Sequence, residues 1–204
     1  AEGDRSGISV SLSDDGSVVA IGAYGNDDNG DGSGHVRIYQ NDNGTWNQIG
    51  DDIDGEATED FSGTARAVSI SSDGSVVAIG ASRNDGNGAL SGHVRIYQNV
   101  DDNWVKIGDD IDGETAGERS GDAVSLSSDG SVVAIGALAN DGNGDNIGAV
   151  RIYQNVGDNW VKIGDDINGE AAGDFSGYSV SLSADGSVVA IGATDNDGNG
   201  DGSG

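Results

Sequence analysis

The chain has 204 residues, among them 37 Gly and no Pro, Cys or Met, and its 36 acidic residues against 9 basic ones leave a formal charge of -27. Such a charge repels phosphate backbones and anionic headgroups, which argues against nucleic acid as a partner, and no apolar run approaches the roughly 20 residues that span a bilayer, so no membrane insertion is expected. Without Cys there is no disulfide framework, thiolate metal site or cysteine nucleophile, and His35 and His93 are the only imidazoles.

In chain order the first recognisable element is the block from Asp15 to Gly22, which returns at Asp73, Asp129 and Asp185, at offsets of 58, 56 and 56 residues. A second block, Val36 to Gln40, returns at Val94 and Val150, and a third, centred on Trp46, returns at Trp104 and Trp160. The chain is therefore a repeat array, with four copies of the first block and three of the others.

Each unit predicts four short strands. Val124 to Ser127 alternates apolar and polar residues, the period of a strand with one buried face. Ser128-Asp129-Gly130-Ser131 follows as a tight turn, in which Gly accepts positive φ without steric cost. Val132 to Gly136 is apolar on both faces, as a strand enclosed between neighbours must be. Val150 to Tyr153 alternates again, and Trp160 to Ile163 supplies the fourth strand after the loop Asn155 to Asn159. With no sustained 3.6-residue period, helix is not expected.

The fold class is thus all-β: tandem four-stranded repeats of about 56 residues forming three and a half β-propeller-like blades, either open or completed by a neighbouring chain. The repeats divide one array, 1–204, into a half unit 1–34 and full units 35–92, 93–148 and 149–204. A leading half unit and a complete last one expose strand edges, which invite head-to-tail pairing with other copies of the chain or with further repeats of a longer one.

Phe175-Ser-Gly177-Tyr-Ser-Val180, Ala190-Ile-Gly192-Ala193, Phe61-Ser-Gly63 with Gly80-Ala81, and Gly148-Ala-Val-Arg-Ile-Tyr153 resemble the FG-GAP repeat. That family builds the seven-bladed propeller of integrin alpha subunits and of many secreted relatives. The resemblance implies an extracellular or cell-surface propeller used for adhesion or recognition. Two departures stand out: Arg5 and Arg119 replace the Phe in alternate units, and the Pro after Gly-Ala is Tyr24, Ser82, Leu138 or Thr194.

The connection after each Ala-Ile-Gly-Ala strand carries candidate chemistry. Asp27, Asn29 and Asp31 precede Gly32, and Asp197, Asn199 and Asp201 precede Gly202, both in the pattern D-x-N-x-D-G. Oxygen side chains at alternate positions converge on a cation while Gly allows the bend, as in the first half of an EF-hand loop, so Ca2+ is the expected ligand. Asp141, Asn143 and Asp145 keep the three oxygens with Asn146 in place of Gly, and Asp85 and Asn87 lose the third to Ala89. None has a bidentate Glu at the twelfth position, so backbone, water or a distant carboxylate must complete each site. The competing reading is that Asp, Asn and Gly are good loop residues, and the acidity equally suits a protein adapted to high salt.

A second acidic cluster, Asp109 to Glu114, recurs from Asp51 and, with Asn168 replacing an acid, from Asp165. Because the pattern repeats in every unit, no distinct acid, base or nucleophile stands out, and an enzyme is not expected. These carboxylates predict a solvated loop or ligands that complete a neighbour's cation site. Trp46, Trp104 and Trp160, like Tyr39, Tyr97 and Tyr153, read as packing residues ahead of sugar-stacking platforms. His35 and His93 align with Ala149, which argues against a required ligand, and Arg37, Arg95 and Arg151 are expected to pair with loop acids. Asn43-Gly44-Thr45 is a glycosylation sequon in a surface loop, in agreement with secretion. The leading functional expectation is a non-enzymatic extracellular structural or adhesive repeat protein with calcium-binding loops that self-assembles. The alternative is a propeller that recognises glycans or protein ligands through loops on one face.

Overall fold

The computed structural model describes residues 2–142, 144–198, 200 and 202–204. The regular elements among them are antiparallel strands. The first sheet holds β1 (Ser9–Leu12), β2 (Val18–Ala23), β3 (His35–Asp42) and β4 (Thr45–Gln48) in that order, with β5 (Ile53–Asp54) paired to the start of β3. The second repeats it with β6 (Val68–Ile70), β7 (Val76–Ala81), β8 (His93–Val100), β9 (Asn103–Lys106) and β10 (Ile111–Asp112). In the third, β11 (Ser120–Leu126), β12 (Val132–Ala137) and β13 (Ala149–Asn155) are followed by one longer strand, β14 (Trp160–Asn168), where the earlier sheets use two short ones. A two-stranded sheet of β15 (Ser176–Leu182) and β16 (Val189–Ala193) ends the array. These are open, blade-like sheets.

The hydrogen-bonded units run 9–54, 68–112, 120–168 and 176–193, so the half sheet comes last rather than first. Divisions at 35, 93 and 149 fall between the second and third strands of each sheet, where the ladder Gly22↔Val36 and Ala23↔His35 crosses the first of them. Periodicity sets the length of a repeat and leaves its phase open. The polar Asp/Asn/Gly connection is internal to a sheet, while sheets are joined by segments such as 55–67 and 113–119.

The strand that is apolar on both faces lies between two cores. In β7, Val77 and Ile79 pack with Val18, Ala20, Val36, Ile38 and Ile53 of the first blade. Val76 and Ala78 turn the other way, toward Val124, Leu126, Val133 and Ile135 of the third. All six residues of β7 and of β12 are buried, whereas β16 is mostly half-buried. Each fully buried Val or Ile contributes about 1.5–3 kcal/mol, so a blade gains most of its stability from its neighbours.

Backbones of successive blades come into contact. A Cβ on Gly80 of β7 would overlap the Gly121 carbonyl oxygen of β11, and the same holds between Gly22 and Gly63 and between Gly136 and Gly177. These pairs join the Gly of the Ala-Ile-Gly-Ala strand to the Gly of the next Ser-Gly motif. The turns are linked as well: Asp14 N–H donates to Ser72 O, Ser72 N–H to Ser128 O and Ser128 N–H to Ala184 O, each at 2.9 Å.

Candidate functional site

One rim of the array carries the Asp/Asn/Gly connections. In the first, Asp27 Oδ1 accepts the Gly32 amide at 2.8 Å and closes its own loop. Asn29 Nδ2 donates to the Gly55 and Glu56 carbonyls at 2.7 and 3.2 Å, tying the loop to the segment that leaves the blade. The second loop repeats both devices: Asp85 Oδ1 accepts the Leu90 amide, and Asn87 Nδ2 donates to Gly113 O, each at 2.7 Å. Asp141 and Asp197 accept the Asn146 and Gly202 amides at 2.7 and 2.6 Å. Asp31 and Asp145 are both exposed. Asn143, Asn199 and Asp201 lie outside the described residues. The first acid of each loop, and the Asn of the first two, thus shape the loop itself, and exposed carboxylates such as Asp31 and Asp145 fit a largely hydrated cation better than an enclosed one.

Behind the rim the structure assembles a group that the loop pattern did not announce. His35 opens β3 and is 1% exposed, and its register partner across the ladder is Asp54 of β5. Its Nδ1 lies 3.5 Å from Asp52 Oδ2 and 3.9 Å from Asp28 Oδ2. Ligand atoms of Asp28, His35, Asp52 and Asp54 all fall within 4.8 Å of one another. Asp28 is the residue between the two expected ligands Asp27 and Asn29, and Asp52 and Asp54 come from the second acidic cluster, so two separate motifs meet here.

Charge in this group is unevenly compensated. Arg37 donates through Nε and Nη2 to Asp52 Oδ2 at 2.8 and 2.6 Å, and Gln48 Nε2 donates to Asp52 Oδ1 at 2.7 Å. The Arg37 hydrogen bond holds Asp52 below the usual carboxylate range, although burial opposes it. Asp54 is pushed up by burial and by the Asp52 charge. Burial, with help from Arg37, holds His35 below its ordinary value, so its imidazole is neutral at pH 7. His35 Nδ1 and Asp54 Oδ1 are buried and have no hydrogen-bond partner among the described residues.

The next blade repeats the arrangement in part: Glu56, His93 and Asp110 form the group, and the buried nitrogen without a partner among the described residues is His93 Nε2 rather than Nδ1. His93, also 1% exposed, has Nδ1 3.8 Å from Asp110 Oδ2, 3.9 Å from Glu56 Oε2 and 4.0 Å from Asp112 Oδ1. Gly86 stands where the first blade has Asp28, and Glu56 reaches in from the preceding linker instead. Burial brings His93 down to about 4. Arg95 links the same blades, donating to Asp54 O at 2.7 Å and lying 3.4 Å from Glu56 Oε1.

In the third blade Ala149 replaces the His, and a buried ion pair fills the region. Arg151, only 2% exposed against 35% for Arg37, donates to Glu118 Oε1 and Oε2 at 2.6 and 3.1 Å and to Asp166 Oδ2 at 2.9 Å. Glu118 occupies the place of Asp4, Asp60 and Asp174, and its extra methylene lets it reach the guanidinium. The three repeat arginines pair with loop acids, as the sequence suggested.

The tryptophans divide into two kinds. Trp104 Nε1 donates to Ile49 O, and Trp160 Nε1 to Ile107 O, each at 3.0 Å, so each is fastened to the preceding blade. Trp46 is 44% exposed.

This combination of stacked four-stranded sheets and equivalent rim loops defines a propeller-type repeat protein. The FG-GAP repeat family matches residues 1–39, and the same sheet recurs downstream of that stretch. No curated protein matches the chain in sequence. Among solved structures it is similar to a provisionally assigned 6-phosphogluconolactonase from Bacteroides uniformis, at 15% identity and a TM-score of 0.56, over 91% of this chain and 47% of that one. A structure from a study of two prolyl endopeptidases is similar at 17% identity and a TM-score of 0.49, over 93% of this chain and 27% of that one. The chain thus spans less than half of either, and the first likeness speaks to fold alone.

Proposed function

We propose that the chain is a non-enzymatic, extracellular or cell-surface module of adhesive or structural character. In this reading it is a run of propeller-type blades that presents a periodic acidic rim and stacks on further repeats, of its own chain or of another copy. The observation that carries the reading is the equivalence of the rim: Asp27 and Asn29 in one blade make the same bonds as Asp85 and Asn87 in the next. One loop is therefore displayed repeatedly at a fixed spacing. Repeated identical loops suit multivalent contact, where weak single contacts are reinforced by effective concentration. The similarity of residues 1–39 to the FG-GAP repeat supports a binding role of the propeller type.

Calcium is the cation of this rim in the same reading. With Asp27, Asn29, Asp85 and Asn87 engaged in backbone bonds, the first two loops would hold a hydrated ion weakly, in roughly the 10⁻⁴–10⁻³ M range of extracellular modules. Binding would neutralise neighbouring carboxylates and stiffen the loops. Sedimentation velocity in calcium and in EDTA, at one ionic strength high enough to screen the charge, tests this: compaction or discrete larger species in calcium support it, and identical profiles rule the calcium mechanism out.

The exposure of Trp46 favours a second reading, a recognition module for glycans. A partly exposed aromatic face with the exposed Asn47 next to it on β4 suits a sugar. A glycan-array signal lost in Trp46→Ala, with the fold intact, would select this reading over the first.

A further inference from the structure

We propose that His35, Asp28, Asp52 and Asp54 form a site for a divalent transition-metal ion of the zinc type, and that His93, Glu56 and Asp110 form a second one a blade further on. The site is separate from the calcium reading of the rim and does not depend on it. Three observations carry it. The four ligand atoms of the first group already lie within 4.8 Å of one another, so small side-chain movements bring them to the roughly 2.0–2.2 Å bonds of zinc to imidazole and carboxylate. His35 is almost wholly buried, and its Nδ1, the nitrogen facing the acids, has no hydrogen-bond partner among the described residues, which is a rare condition for a buried polar atom. Asp54 Oδ1, from the residue directly across the ladder, is orphaned in the same way.

The donor set selects the metal class. Calcium takes oxygen ligands almost exclusively, whereas a neutral imidazole beside carboxylates favours zinc, cobalt, nickel or manganese. Three carboxylates against the single Arg37 guanidinium leave the first group with two net negative charges around a neutral His35, enough to offset a divalent cation. Arg37 and Gln48 hold Asp52 from outside and orient it, as outer-shell partners do for metal-binding carboxylates. In the second group Lys106 donates to Asp110 Oδ1 at 2.5 Å and Arg95 is near Glu56, so that site holds its metal less tightly.

The third blade provides an internal comparison. There the His is Ala149, and a cation is present covalently: the guanidinium of Arg151 lies buried against Glu118 and Asp166. In the first blade, where His35 is present, the matching Arg37 is 35% exposed, whereas in the second Arg95 is only 7% exposed beside His93 and adds buried positive charge there.

Isothermal titration of the metal-free 204-residue chain with Zn2+, in millimolar Ca2+ to occupy the rim, tests the proposal, with Co2+ absorption as a second readout of nitrogen ligation. Two sites are expected. His35→Ala should weaken the tighter by more than about tenfold, and His93→Ala should abolish the weaker. Alanine is the residue the third blade uses at this position, and His35→Gln, closer in volume, serves if the first variant does not fold. Zinc uptake unchanged in the double variant would be binding to surface carboxylates and would overturn the proposal, as would no uptake at all. Calcium-independent assembly in the sedimentation experiment would leave it standing.

Discussion

Gly80 and Gly121 face each other across adjacent blades with no room for a side chain between them. Gly80→Ala is therefore expected to force the second and third blades apart and to cost on the order of 3 kcal/mol, the range in which core overpacking falls. At the last blade Gly192 is the equivalent, and there a new methyl would meet the Ser179 hydroxyl, which can turn aside. Gly192→Ala should cost under about 1 kcal/mol. Urea denaturation of the two variants should separate them clearly.

The tryptophans offer a second contrast. Trp104→Ala removes a ring packed on the first core and a hydrogen bond to Ile49, and should cost about 2–4 kcal/mol. Trp46→Ala, at the exposed end, should stay within about 0.5 kcal/mol. Equal losses in thermal melts would mean that the rings do not fasten blades.

Arg151→Met strands Glu118 in a buried site, and losing one partner of such a pair costs about 3–5 kcal/mol. Burial alone would raise the Glu118 carboxyl, but hydrogen bonds and charge from Arg151 outweigh it and the net shift is downward from 4.5. Since the folded value lies below the unfolded one, this contribution is full above 4.5 and is lost as pH falls through the folded value. Melting temperatures from pH 6 to pH 3 should show that loss in the parent chain and a smaller one in Arg151→Met.

The Ser-x-Asp-Gly turns predict a second acid effect. Asp185 accepts from Ser183 Oγ, Ser187 N and Ser187 Oγ at 2.7, 3.0 and 2.7 Å, and these bonds hold it at about 2. Its stabilising effect is present above 3.8 and disappears as pH falls toward 2. A carboxyl NMR titration should find the midpoint of Asp185 near 2, returning toward 3.8 in Ser183→Ala/Ser187→Ala; a normal midpoint in the parent chain would contradict the turn geometry.

Much of the fold was legible because the repeat states its own pattern. Val76 to Ala81 had to be enclosed on both sides, and it is. The phase of the sheets was not legible, because a polar loop such as 26–34 looks the same inside a sheet as between sheets. The serines of the alternating strands also misled. Ser11, Ser69 and Ser125 occupy the polar positions, yet their hydroxyls accept the amides of Ile70, Leu126 and Leu182 in the next blade, at 3.1, 3.0 and 3.0 Å. Alternation distinguishes two faces without saying whether the polar one meets water or a neighbouring backbone. At the candidate site, Ala149 turned attention from His35 and His93. The signal that could have found them was the strand pairing of His35 with Asp54, which depends on where β5 returns to β3.

The bonds from Asp14 to Ser72, Ser72 to Ser128 and Ser128 to Ala184 give each inner turn a partner on both sides and each outer one a partner on a single side. Opening an inner blade must break two such interfaces, and opening the last sheet only one. Amide exchange should accordingly be graded along the chain, slowest in β7 and β12 and fastest in β15 and β16. The array would then melt by unzipping inward from its ends, with local stability set by the number of neighbours a blade has, since the blades share nearly the same sequence.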